Sequence, residues 1–110
     1  MNIPVLLLQV LFLWSRKKFD EAIQRIENLK KYNTRYLREE DTKRTTYFIK
    51  MLHVAATEGF APRATRKAVQ PLLKELTNRD IVFANQSAEL EYIPYEDLWE
   101  MGMEILSQTR

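Results

Sequence analysis

The chain offers few side chains for catalysis. His53 is the one histidine among 110 residues. A general base or a metal ligand needs partners at set spacing, and His53 instead follows Met51 and Leu52 in a core-forming stretch. Ser15, Ser87 and Ser107 stand in no nucleophile context such as G-x-S-x-G. The two glycines are far apart and cannot build a phosphate loop or a dinucleotide fingerprint. Cysteine is absent, which excludes a thiol nucleophile, thiolate metal sites and disulfides, and fits a reducing compartment such as the cytoplasm. Glu96, Glu100 and Glu104 share a helical face at i, i+4 and i+8. Their expected use is pairing with the basic surface of earlier helices rather than holding a metal. These residues predict no catalytic site, no cofactor and no metal.

The cations are grouped. Arg16, Lys17 and Lys18 are consecutive, and Arg63, Lys67 and Lys74 share one face of a helix. Such a basic patch suits phosphate contacts. One arrangement that would use it is a helix-turn-helix, with a first helix over 42–58, a turn over 59–62 and a basic recognition helix over 63–77. Glu75, a mid-helix Pro71 and the acidic end of the chain speak against that arrangement. Tyr36, Tyr47, Tyr95 and Trp99 are candidate anchors for a partner protein, since Tyr and Trp dominate interface energetics. Plain core packing is the competing use, and the favoured one for Trp99.

The elements that must position these residues read as helices. Apolar residues recur at helical spacing over Phe19 to about Arg38, over 42–58 with Gly59 as a stop, and from Ala61 or Pro62 to about Asn78. Asp41 or Thr42 is the expected cap of the third helix. Pro71 predicts a bend or break in the fourth. Residues 79–93 show no helical period and predict a short extended linker. Pro94 opens a last helix running to about Ser107, with Glu96 and Asp97 at the positive end of its dipole. The expected fold is an all-α bundle of about five helices over residues 1–110, forming a single helical domain.

The stretch from Ile3 to Trp14 is apolar nearly all round. Its cations follow the apolar run instead of preceding it, which is the reverse of a signal peptide. It spans about 12 residues, short of the roughly 20 that a bilayer requires. It therefore predicts a soluble helix needing cover on most sides, from later helices or from a second copy. Charge is split along the chain. Residues 1–79 carry 16 cations and 8 acids, a net of +8, and residues 80–110 carry one cation and 7 acids, a net of −6. The acidic end also carries apolar residues, which predicts that it docks on the basic part.

The segment LFLWSRKKFDEAI, with Leu13 closing one helix and Phe19, Glu21 and Ala22 opening the next, resembles the middle of a tetratricopeptide repeat. Lys17 stands where that repeat prefers glycine, and Val10 replaces the glycine of its first helix. FIKML (48–52) followed by EYIPYEDLWEMGMEIL (91–106) resembles the C-terminal end of a group of uncharacterised bacterial tetratricopeptide-like proteins, which are longer helical arrays. The resemblance implies stacked helical hairpins, a role in binding other proteins and no catalytic residue. Together these readings predict a non-enzymatic, cytoplasmic interaction module that binds a protein partner or itself as a homo-oligomer, with nucleic acid as the alternative ligand and no membrane.

Overall fold

A computed structural model describes residues 3–36, 43–78 and 93–108. They form five helices: α1 (Ile3–Ser15), α2 (Phe19–Tyr36), α3 (Lys43–Thr57), α4 (Pro62–Leu76) and α5 (Tyr95–Gln108). No strand occurs among the described residues. None of these helices is long and apolar enough to cross a membrane. The all-helical expectation therefore holds. The cap expected at Asp41 or Thr42, and the extended linker expected within 79–92, lie outside the described residues.

Consecutive helices pack as α1–α2, α2–α3 and α3–α4, and α5 then lies against α1, α3 and α4. The last helix thus reaches back to the first. α4 runs unbroken through Pro71 instead of splitting there. Pro71 and Lys67 are both on the solvent side, so the carbonyl that loses its intrahelical donor is open to water.

Two tight turns set the hairpins. At the end of α1 the Lys17 N–H donates to the Trp14 carbonyl at 3.0 Å, and the Lys18 N–H to the Leu13 carbonyl at 2.9 Å. At the end of α3 the Gly59 N–H donates to the Ala56 carbonyl at 3.0 Å, and the Phe60 N–H to the Ala55 carbonyl at 2.8 Å. Both are Schellman stops, in which a left-handed residue after the helix lets two N–H groups return to orphan carbonyls. Gly59 fills that place with φ 63°, and Lys17 fills the same place with φ 59°. A Cβ is penalised there. The α1 helix accordingly ends at Ser15.

The two turns then meet through their aromatics. Phe19 stacks on Phe60 with ring centroids 4.6 Å apart, and Trp14 meets Phe60 edge-on at 5.7 Å. Further along, Phe48 stacks on Tyr95 at 4.9 Å and meets Trp99 edge-on at 6.2 Å. The α5 backbone comes close to α1 at Gly102, where an added Cβ would lie 3.0 Å from the Trp14 ring. Trp14 is itself fully buried and has little room to yield. Leu7, Val10, Leu11, Ala22, Ile26, Leu29, Ile49, Met51, Leu52, Ala55, Val69, Leu76, Leu98, Met103 and Leu106 complete the core among the described residues.

The strained turn gives a stability prediction. Lys17→Gly removes the Cβ clash of the left-handed conformation, and part of that gain is offset by the greater freedom of unfolded glycine. The variant is expected to be more stable by roughly 0.5–1 kcal/mol in urea denaturation. A loss of stability would show that the Lys17 side chain contributes more to the fold than its backbone strain costs.

Candidate functional site

Arg44 opens α3 and is almost fully buried, at 6% exposure. A buried guanidinium must be paired and hydrogen-bonded, and three acceptors converge on this one. Its Nη2 donates to Glu96 Oε1 at 2.6 Å, and its Nη1 donates to Glu96 Oε2 at 3.3 Å and to the Leu76 carbonyl at 2.8 Å. The Leu76 carbonyl belongs to the last turn of α4, where no intrahelical donor remains. Glu96 sits in the first turn of α5, where the helix dipole favours a carboxylate. One side chain from α3 therefore ties the end of α4 to the start of α5. The guanidinium carbon also lies 5.8 Å from the centre of the Tyr95 ring. The Tyr95 hydroxyl shares a 2.7 Å hydrogen bond with the Thr45 hydroxyl, one residue along from Arg44.

Burial on its own pushes the Glu96 carboxyl up. The hydrogen bond from Arg44, a backbone N–H at its own position and the charge of Arg44 together outweigh burial and hold it below the ordinary glutamate value. A second, exposed ion pair repeats the pattern one turn on. Both Nη atoms of Arg66 in α4 donate to the Glu100 carboxylate at 3.1–3.2 Å. The acids of α5 thus pair with cations of α3 and α4, as the split in charge predicts. Nothing in the local sequence marks Arg44 or Arg66 as the partners, because they lie 52 and 34 residues away.

The expected partner anchors part company. Tyr95 and Trp99 are each 1% exposed and belong to the core. They offer a partner no surface in this packing, because the apolar face of α5 that carries them is the face turned to α1, α3 and α4. Tyr47 is half-buried, with Lys50 Nζ 5.7 Å from its ring centre. Tyr36 ends α2, and its side chain lies outside those described. His53 is half-exposed, with Nε2 3.5 Å from Glu27 Oε1 across the α2–α3 contact. Among the described residues no group of three or more His, Asp or Glu could hold a metal ion.

The basic residues divide as well. Arg16, Lys17, Lys18, Arg63, Lys67 and Lys74 are all exposed. The Phe19–Phe60 stack sets the 16–18 turn beside the start of α4, so the first three cations and Arg63 occupy one end of the bundle, with Lys67 one turn along. Lys74 stands about 16 Å further along α4 and belongs to the other end.

The surface that the structure adds is on α1. Val5, Leu8 and Phe12 are 42%, 39% and 62% exposed, although Leu7, Val10, Leu11 and Trp14 of the same helix are buried. They follow one another at i, i+3 and i+7 and form a stripe. Cover from α2 and α5 meets only part of the helix circumference. Among the described residues, Ile23 of α2 and Met101 of α5 are the other large apolar residues left exposed, at 38% and 42%.

Comparison of the chain with known protein families, with curated proteins and with solved structures finds no match.

The Arg44 contact predicts a pH dependence. Glu96 has a depressed folded-state pKa, so its contribution is present above the unfolded glutamate value of about 4.3 and is lost as pH falls through the lower folded value. Glu96→Gln leaves Arg44 buried with a weaker partner and is expected to cost roughly 1–2 kcal/mol near neutrality, a figure reduced because Glu96 is itself partly solvated. Thermal unfolding of both proteins from pH 7 down to pH 3 checks this. The gap between them should close at the acid end, and a constant gap would mean that the charge of Glu96 contributes nothing.

Proposed function

We propose that this protein is a non-enzymatic helical interaction module that associates with a second copy of itself through the exposed face of α1. The observation that carries the reading is the Val5, Leu8 and Phe12 stripe, with Phe12 62% exposed. A phenylalanine at that exposure leaves on the order of 100 Å² of ring open to water. Ile23 and Met101 add to the apolar surface of the α2 and α5 helices that flank α1. Contiguous apolar surface of this kind marks association sites. Three to five such residues per copy fall short of a large obligate interface, so the expected complex is weak and concentration-dependent.

The consecutive packing of α1 to α4 supports a hairpin stack of the tetratricopeptide kind. In that reading α5 fills the groove that such a stack leaves open, and its acids face the basic helices. The groove is then occupied from within, and the outer face of α1 takes over the role of contact surface. Among the anchors whose side chains are described, Tyr47 is the one that is only half-buried.

Size-exclusion chromatography with light scattering over a range of concentrations tests the proposal. The chain is expected to move from monomer to dimer as concentration rises. Phe12→Gln, alone or with Leu8→Gln, should hold it at monomer mass with no loss of thermal stability, because both side chains are solvent-facing. A wild-type chain that stays monomeric at every concentration, or a Phe12→Gln variant that dimerises unchanged, would overturn self-association through α1.

A further inference from the structure

The α1–α2 turn holds a lysine where its own fold would be better served by glycine. The equivalent stop at the end of α3 uses Gly59 in the same left-handed conformation with the same pair of hydrogen bonds. A non-glycine residue at positive φ is uncommon, and strain of this kind concentrates at functional sites. Phe60, next to Gly59, is also left-handed at φ 62°, but its ring is buried in the core and that packing offsets the strain. Lys17 is exposed, unlike Phe60, so no buried packing of its side chain offsets the strain.

Its surroundings give the side chain a use. Arg16 and Lys18 flank it, and both are exposed. The Trp14, Phe60 and Phe19 rings lock this turn to the Gly59–Phe60 turn, which brings in Arg63, with Lys67 one turn further. Five exposed cations from two distant stretches of chain thus sit around one aromatic contact. Their neighbours are not uniformly basic. Asp20 and Glu21 occupy the first turn of α2, and Glu58 precedes Gly59. A flat anionic surface would press on these acids together with the cations. A narrow phosphate chain can follow the cations and leave the acids in water.

We propose that this cationic end binds the phosphate backbone of a nucleic acid, through Arg16, Lys17, Lys18, Arg63 and Lys67. It differs from a recognition-helix arrangement in that the turn contributes three of the five cations and Lys74 takes no part. The recognition is of charge and spacing, with no base read directly. The residues are distinct from the Val5, Leu8 and Phe12 stripe, so loss of self-association leaves this binding standing.

The test is fluorescence anisotropy of the full chain with labelled mixed-sequence oligonucleotides, single-stranded and duplex. Affinity should fall log-linearly with salt between about 50 and 200 mM. The slope should be near −3.5 for single strands or −4.5 for duplex if all five cations meet phosphates. Arg63→Glu with Lys67→Glu should weaken binding at least tenfold. Lys17→Gly is the decisive variant, because it is expected to stabilise the fold. It should bind several-fold more weakly, with a slope reduced by about one contact. Four outcomes would overturn the proposal. One is no binding at the lowest salt, and another is affinity indifferent to salt. The third is wild-type affinity in Lys17→Gly or in the double variant. The fourth is equal competition by polyglutamate or by phosphatidylserine vesicles, which would assign this end to an acidic protein or a lipid surface.

Discussion

Arg44 is buried and charged, a state that holds only because carboxylate and carbonyl oxygens from two other helices converge on it. The position of α5 depends on this contact. Its apolar face would bury its side chains against the neighbouring helices at more than one axial offset. The two-pronged contact between Arg44 and Glu96 is satisfied at one offset, and the Thr45–Tyr95 hydrogen bond agrees with it. The Leu76 carbonyl fixes the end of α4 in the same frame. Polar contacts of this kind set register, while the apolar face supplies the attraction.

The magnitudes separate these roles. Tyr95, Leu98, Trp99, Met103 and Leu106 are each at most 3% exposed. At about 2 kcal/mol apiece their burial amounts to roughly 10 kcal/mol before entropy is counted. The partly solvated Arg44–Glu96 pair is worth a fraction of that, and the exposed Arg66–Glu100 pair roughly half a kcal/mol. A helix held this firmly belongs to the fold. It is a poor candidate for an exchangeable plug, which is why the outer face of α1, already open, is the better contact surface.

Helical spacing of apolar residues made α2, α3 and α4 legible, because an amphipathic stripe is a local property. The direction of charge docking was legible too, since seven acids following residue 79 need cations from the earlier part of the chain. The identity of those cations was not, because pairing across 52 residues leaves no local mark. Tyr95 and Trp99 show a second limit. A buried aromatic and an interface aromatic occupy the same apolar face of a helix, and only the packing of other helices distinguishes them. Helix α1 shows the converse. Its unbroken apolar run signalled a need for cover, but which side α2 and α5 would leave open depends on how those helices cross it. The helix stays in one piece at Pro71 for a related reason, since Pro71 and Lys67 are on the solvent side and a break is not forced.

The two hairpin turns act as controls for each other. They share a hydrogen-bond pattern, a left-handed residue at the same place and an aromatic residue shortly after it. Phe60 is left-handed too, at φ 62°, but its ring is buried in the core, whereas Lys17 departs from the glycine of the other turn with an exposed side chain. Nothing in the core requires that departure, because the Lys17 side chain is in solvent while Trp14 and Phe60 carry the packing. An exposed cation flanked by two others is suited to contacting a phosphate chain.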